Sequence, residues 1–255
     1  MKYREEKVYQ IIRHERLSAK VHLISLKPES EMFSQVCEFG SYAFLRKASY
    51  PSAFSVPISV MDCDRQSQEV SFAFQVVGPK TRALAEAYQA VTVKWPFWGG
   101  IAGVKSLKKA VGWKVLIVAK GIAQAAALLT IRKLVERGNW VTYAVGPGEV
   151  EDTFTARAAK KLGAEVILLP KEEDHNLSRF KLLLELKPYQ LVVSLGPDVQ
   201  HATLAKLCAT MKKRPRFACS NNGVLCCGEG VCGACLAFVD GGAVRRCKSP
   251  LTYTL

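Results

Sequence analysis

Through the first hundred residues, apolar and polar positions alternate with a period of two. KVHLISL (20–26), SYAFLR (41–46), EVSFAFQVV (69–77) and AVTVKW (90–95) each carry the pattern. Turn-forming groups separate them: KPESE (27–31), SYPSAFSVP (49–57) and DCDRQSQ (62–68). Period two places alternate side chains on opposite faces of a strand, and short strands broken by such turns predict a small antiparallel barrel. Ser30–Phe33 and Leu84–Ala90 read as short helical excursions.

The period changes at Lys114. KVLIVA (114–119) has the unbroken apolar run of a buried strand, and IAQAAALLTIRKLVERGN (122–139) has helical periodicity that stops at Gly138. The alternation then repeats. VTYAV (141–145) precedes EDTFTARAAKKLG (151–163), AEVILLP (164–170) precedes NLSRFKLLLELK (176–187), YQLVVSL (189–195) precedes DVQHATLAKLCATMKK (198–213), and RPRFACS (214–220) closes the series. Strand-like starts recur about every 25 residues, the spacing of βα units in a doubly wound parallel sheet. Past Phe217 the pattern dissolves into cysteine and glycine, in a tail of about 35 residues that is too small for its own core and needs a staple. The expected order is an antiparallel β-barrel (1–108), an α/β doubly wound nucleotide-binding-like domain (109–216) and a small C-terminal module (217–255).

A chain of 255 residues, 49% hydrophobic and 23% charged, has ample material for these cores. The N-terminal MKYREEKVYQIIRHER has no apolar stretch of a signal peptide, and the most apolar segment, 115–131, is interrupted by Lys120 and Gln124 and too short for a membrane span. The expectation is a cytoplasmic protein with no membrane span. The net charge of +14 is scattered, with dense runs only at KSLKK (105–109) and KKRPR (212–216). That distribution argues for an acidic protein partner and against nucleic acid, which needs a concentrated basic stripe with stacking aromatics.

The densest chemistry lies in CCGEGVCGACLAFVDGGAVRRC (226–247), which holds five of the nine cysteines. Disulfides, zinc and an iron–sulfur cluster compete. A reducing compartment disfavours disulfides. Structural zinc sites show two C-x2-4-C knuckles, and here only Cys232 and Cys235 form one. The spacing Cys227-x4-Cys232-x2-Cys235-x11-Cys247 matches the plant-type [2Fe–2S] run, whose fourth ligand lies farther on. A loop wrapped around such a cluster must turn sharply and bring amides close, which Gly228, Gly230, Gly233 and Ala234 permit, and Gly241–Gly242 form a turn able to return Cys247 to the others. Cys226 adjoins Cys227 and leaves the register of the first ligand open. Cys219 reads as the end of a strand, and Cys37, Cys63 and Cys208 as ordinary small hydrophobes.

Barrel, nucleotide-binding sheet and C-x4-C-x2-C-x11-C tail, in that order, resemble the electron-transfer subunits of NAD-dependent dihydroorotate dehydrogenase and the related sulfide dehydrogenase small subunits, within the ferredoxin–NADP reductase superfamily. The resemblance implies FAD on the barrel, NAD(P)H on the second domain, and a [2Fe–2S] cluster passing electrons to a catalytic or electron-accepting partner in a hetero-oligomer. The family's Arg-Pro-Ile-Ser flavin motif corresponds to Val56-Pro57-Ile58-Ser59, with valine where the phosphate-binding arginine stands. Arg46 and Lys47 are the nearby cations, and a plain edge strand with an early proline is the other reading. The Gly-x-x-Thr turn at the flavin phosphates corresponds to Gly78-Pro79-Lys80-Thr81. The glycine-rich nucleotide turn corresponds to Ala119–Ala125, where Lys120 and Gly121 are the residues of interest and one glycine remains. Gly196-Pro197-Asp198 resembles the turn bordering the nicotinamide, with Leu195 in place of a cysteine. Asp198 is equally a helix N-cap.

WPFWGG (95–100) reads as interdomain core or a flavin cover. His14, His22, His175 and His201 are scattered, and no hydrolytic triad or carboxylate pair is evident. The leading expectation is therefore an electron-transfer subunit. Its rival is an adaptor that keeps the cluster while its nucleotide pockets have closed, because Val56 and Lys120 break the phosphate motifs. A zinc-stapled binding module stands third.

Overall fold

The computed structural model describes Arg4 and residues 6–49, 55–171, 177–239 and 241–251. The chain divides into two units, residues 1–100 with 223–250, and residues 101–222 with 251–255. Residues 217–222 thus stand with the second unit and the cysteine-rich segment with the first.

In the first unit the alternating runs become β1 (Glu6–Arg16), β2 (Val21–Leu26), β3 (Tyr42–Lys47), β4 (Val56–Asp64), β5 (Glu69–Gln75) and β6 (Ala90–Phe97). They close into an antiparallel barrel in the order β1-β2-β5-β4-β3-β6. The inward positions, among them Ile24, Leu45, Phe72, Val91 and Val93, are fully buried. Closure pairs both sides of each strand at the level of the whole barrel, and β4 lies between β5 and β3. Its first four residues, VPIS, pair with β3 alone, Pro57 opposite Phe44 and Ser59 opposite Tyr42, while β5 joins from Val60 onward, so the early proline sits on a locally open side as the edge-strand reading expects. Trp95 is core of the barrel itself. Its ring meets Tyr9 edge-on at 5.1 Å, and its indole N–H donates to the Tyr9 hydroxyl at 3.3 Å.

The first helical excursion extends to Val36 as α1 (Ser30–Val36). The second lies earlier than expected, as α2 (Pro79–Ala85). Its start is set by Thr81, whose hydroxyl oxygen accepts from the Val77 and Gly78 amides at 2.9 and 3.0 Å, while Pro79 occupies the first turn, where no N–H is needed. Cys37 and Cys63 are not separate hydrophobes. They form a disulfide, with Cα atoms 5.9 Å apart at a sequence separation of 26. Nothing local betrays the pair, because the barrel alone brings the end of α1 to β4.

In the second unit the strands β8 (Lys114–Lys120), β9 (Trp140–Gly146), β10 (Glu165–Leu168), β11 (Leu191–Leu195) and β12 (Arg216–Ser220) start at the expected spacing. They form a parallel sheet ordered β10-β9-β8-β11-β12, and β7 (Ile101–Ala102) adds an antiparallel edge to β12. Two residues are too few to show a period, which hid β7. The connecting helices are α4 (Ala125–Glu136), α5 (Ala156–Lys161), α6 (Leu177–Glu185) and α7 (Asp198–Thr210), preceded by α3 (Val104–Lys109). Phe180, Leu183 and Leu184 of α6 and Leu204 and Cys208 of α7 pack on Leu116, Val118 and Val192 of the sheet. Cys208 behaves as the small hydrophobe expected, with burial pushing its thiol up to about 12. Gly138 ends α4 at φ +73°, and the Asn139 side-chain amide donates to the Leu134 carbonyl at 2.8 Å. Among the described residues, no helix is long and apolar enough to cross a membrane.

Candidate cluster and nucleotide sites

The cysteine segment is a glycine-hinged loop followed by a hairpin, β13 (Leu236–Val239) and β14 (Gly242–Arg245). Asp240 lies outside the described residues. The hairpin pairs Leu236 with Arg245 and Val239 with Gly242. Beyond it the Arg246 amide donates to the Cys235 carbonyl at 3.0 Å, so the chain leaves the hairpin with Cys247 beside Cys235. Gly228, Gly230 and Gly233 all have φ between +68° and +76°, the left-handed region that glycine enters without penalty. At Gly228 the space is closed as well, because a Cβ there would sit 2.5 Å from the Phe97 ring and 2.7 Å from Phe44. Glu229 anchors the same loop, paired with Arg4 at 2.9 Å, Lys94 at 3.5 Å and Lys248 at 3.7 Å.

Cys232 lies beside both Cys226 and Cys227, and Cys235 lies beside Cys247. Among the described residues no group of three His, Cys, Asp or Glu side chains is arranged for one metal ion. Cys235 and Cys247 are buried and Cys232 is exposed. Burial pushes the Cys227 thiol up, but the amides of Cys232, Val231 and Glu229 and the Cys232 thiol outweigh it and bring it down to about 6. The Glu229 amide stands 3.3 Å from this sulfur. Cys226 differs. Burial and the neighbouring Cys232 and Cys227 thiols raise it, and Lys80 offsets them only in part. For Cys247, burial and Cys235 together push the thiol up to about 11. Beneath the loop, Tyr42, Phe44 and Phe97 form an aromatic floor with Leu225 against it. Around the cysteines Val224, Val231, Leu236 and Phe238 stand exposed, Phe238 by 84%.

On the barrel, Val56 opens β4 opposite Leu45 and brings no charge. The nearby cation Arg46 is paired with Glu6 at 3.0 Å. The Thr81 hydroxyl is taken up by the backbone of α2, donating in turn to the Gly78 carbonyl at 3.0 Å. Lys80 acts on the Cys226 thiol, a placement the sequence did not indicate.

In the α/β unit the strand order reverses between β8 and β11, the point where open α/β sheets bind ligands beyond their strand C-termini. The turns Lys120-Gly121 and Gly196-Pro197 leave those two strands, so the structure brings both candidates to the switch point. The first turn departs from expectation. It does not open directly into a helix, because a single 3-10 turn, Gly121–Gln124, precedes α4. Gln124 is fully buried, donating to the Asp152 carbonyl at 2.9 Å and accepting from the Thr155 hydroxyl at 3.0 Å. Gly148, on the neighbouring loop, crowds Gly121 so closely that a Cβ would lie 2.9 Å from its backbone.

The second turn is held by a network the sequence did not reveal. His201, fully buried on α7, bridges Ser194 at 2.7 Å and Ser220 at 3.1 Å. The Asn222 side-chain amide donates to the Gly196 carbonyl at 2.8 Å and to the Asp198 carboxylate at 2.9 Å. Asp198 is thus the first residue of α7 rather than its cap, and its carboxylate faces Asn222. These partners lie 7 to 26 residues apart along the chain, with no shared periodicity to signal them. His14 and His22 also meet, at 3.1 Å across β1 and β2, and His175 lies outside the described residues. A surface pocket lined by Lys114, Trp140, Glu165 and Lys187 lies at the strand N-termini, the end of the sheet away from the switch point.

No family model matches the chain. The electron transfer subunit of dihydroorotate dehydrogenase B (NAD(+)) from Shouchella clausii is 26% identical over 229 residues, covering 88% of this chain and 86% of that protein. In fold, the NADH-dependent reduced ferredoxin-NADP oxidoreductase superposes with a TM-score of 0.77 at 17% identity, over 96% of this chain and 87% of that one. Phthalate dioxygenase reductase, described as carrying electrons from pyridine nucleotides to [2Fe–2S], superposes at 0.64 and 14% identity over 95% and 94%. The closed six-stranded barrel and the parallel sheet thus share the fold of these reductases, and the sequence is similar to that of a dihydroorotate dehydrogenase electron transfer subunit.

Proposed function

We propose that this chain is an electron-transfer subunit of an oxidoreductase complex, with Cys227, Cys232, Cys235 and Cys247 holding a [2Fe–2S] cluster that serves a catalytic partner subunit. The gathering of the thiols carries the reading. Cys227 and Cys226 lie beside Cys232, and Cys247 lies beside Cys235, on one loop and hairpin, and a two-iron core takes two thiolates at each iron. The donor set fits in chemistry too. The Glu229, Val231 and Cys232 amides favour thiolate at Cys227, as a bound metal requires. Cys226 lacks this stabilisation, which supports Cys227 as the first ligand.

When bound, the cluster supplies a one-electron store. The chain's residues hold and shelter it. The hairpin fixes Cys247 against Cys235, the aromatic floor keeps water from the inner face, and Glu229 ties the loop to barrel cations. The exposed Val231, Leu236 and Phe238 with the neighbouring Arg245 and Lys248 suit a partner with an apolar, acidic face.

The resemblance adds FAD and NAD(P)H as the route by which electrons reach the cluster. Ser59 and Lys80 on the barrel and Gly121 and Gly196 at the switch point are the candidate contacts. The flavin-phosphate set does not fit as it stands, because Val56 is uncharged, Arg46 is paired with Glu6 and the Thr81 hydroxyl is used by the backbone. The same observations, with Gly148 crowding Gly121, favour a second reading, an adaptor that keeps only the cluster. One experiment separates them. Anaerobically purified protein is expected to be brown, with about two irons and two acid-labile sulfides per chain. Flavin released on denaturation supports the full electron-transfer chain. A cluster without flavin supports the adaptor. Absence of iron and sulfide defeats both.

A further inference from the structure

We propose that the Tyr42 hydroxyl donates a hydrogen bond to a sulfur of the cluster site bounded by Cys235 and Cys247, and that this bond raises the site's reduction potential; the assignment rests on the two-iron reading above. Tyr42 is 3% exposed, and its hydroxyl is buried without a hydrogen-bond partner. Leaving a buried hydroxyl unpaired costs about 1–3 kcal/mol, and folded proteins seldom tolerate it. An orphan of this kind marks the place of an acceptor that the polypeptide itself does not supply.

The surroundings identify that acceptor. The Tyr42 ring stacks on Phe97 with centroids 5.2 Å apart and meets Phe44 edge-on at 5.8 Å. Its backbone is locked opposite Ser59 in the barrel. The ring therefore has a fixed direction. The sulfur groups within electrostatic reach of its hydroxyl are Cys247, Cys235 and Cys227, with Arg4 also in reach, and Gly228, next to Cys227, rests on the Phe97 and Phe44 rings that pack on Tyr42. Sulfur is the acceptor chemistry on offer.

The direction of the effect follows from charge. Reduction adds one electron and makes the sulfurs more negative. A donor hydrogen bond to them strengthens on reduction and favours the reduced form. Because the hydroxyl lies in a dry aromatic pocket, water does not screen it.

The test uses the full-length protein, loaded anaerobically with iron and sulfide, as wild type, as Tyr42→Phe, and with 3-fluorotyrosine at position 42, whose phenol is more acidic. Iron and sulfide content and the midpoint potential are measured on each. All three are expected to bind the cluster, with potentials rising in the order Phe, Tyr, 3-fluorotyrosine. Loss of the hydroxyl should weaken reduction up to about tenfold, about 59 mV for one electron. If Tyr42→Phe fails to fold, the fluorinated protein against wild type decides alone. Equal potentials in cluster-loaded proteins overturn the hydroxyl assignment and leave the cysteine reading standing. Failure of the wild type to bind iron and sulfide overturns the cysteine reading and this assignment with it.

Discussion

The Arg246 amide donates to the Cys235 carbonyl at 3.0 Å, one step past the last Leu236–Arg245 pair of the hairpin. That contact gives the eleven-residue gap between Cys235 and Cys247 its purpose. Nearly all of it is hairpin, and the extra rung returns the last thiol to its partner. The first prediction follows from the pairing. Cys232→Ser and Cys247→Ser should each abolish the visible chromophore. Cys226→Ser should retain about two irons and two sulfides. Metal analysis of the three variants checks the register, and colour that survives in Cys232→Ser would defeat the assignment.

Gly228 is held at φ +68° with the Phe97 and Phe44 rings where a Cβ would stand. Gly228→Ala should destabilise the protein by about 1–3 kcal/mol, through strain and overpacking together. Gly233, also at positive φ but with open space around it, should lose only the strain share, about 1 kcal/mol. Urea unfolding midpoints give the comparison, and equal losses at the two sites would contradict it.

Nine cysteines stand in the sequence, and Cys37 and Cys63 are joined. Metal-free protein denatured without reductant should therefore release seven reactive thiols, and nine after reduction. Cys37→Ala with Cys63→Ala should lower stability by roughly 3 kcal/mol, the loop-closure contribution of a link of this length. Nine thiols before reduction would refute the pairing.

His14 and His22 are both held below the ordinary histidine range, chiefly by burial, with His14 and Arg16 adding to it at His22. The folded protein therefore takes up these protons less readily than the unfolded chain. Their neutral forms support the fold fully above about pH 6.5, and the support is lost as pH falls through that value and on through the lower folded pKa values. His14→Gln with His22→Gln should flatten the stability profile between about pH 7.5 and 5.5. An unchanged slope would rule the pair out as its source.

His201 joins Ser194 and Ser220 inside the second unit. His201→Ala leaves both hydroxyls short of a partner and opens a cavity, so it should cost about 2–4 kcal/mol in urea unfolding. Asn222→Ala, at the rim of the same network, should cost about 1 kcal/mol. A His201 variant as stable as wild type would show the network to be incidental.

What was legible in the sequence was local. A two-residue period needs only neighbours, so the barrel strands showed themselves, and strand starts about every 25 residues announced the parallel sheet. Thr81 displaced the second short helix because side-chain capping, not apolar period, sets where a helix begins. Gly121 kept its left-handed turn, yet the 3-10 step and the crowding by Gly148 depend on a loop some 27 residues away.

The sequence by itself determined the barrel and the parallel sheet, because their periodicity is written within a few residues along the chain, and its cysteine spacing is what the cluster proposal starts from. Only the tertiary structure decided that Cys37 meets Cys63, that His201 is a buried bridge, and that the Tyr42 hydroxyl is unpaired beside the thiols. Each of these depends on residues distant in sequence that are brought together by barrel closure or sheet order, and a chain read in one dimension carries no mark of the distances that closure creates.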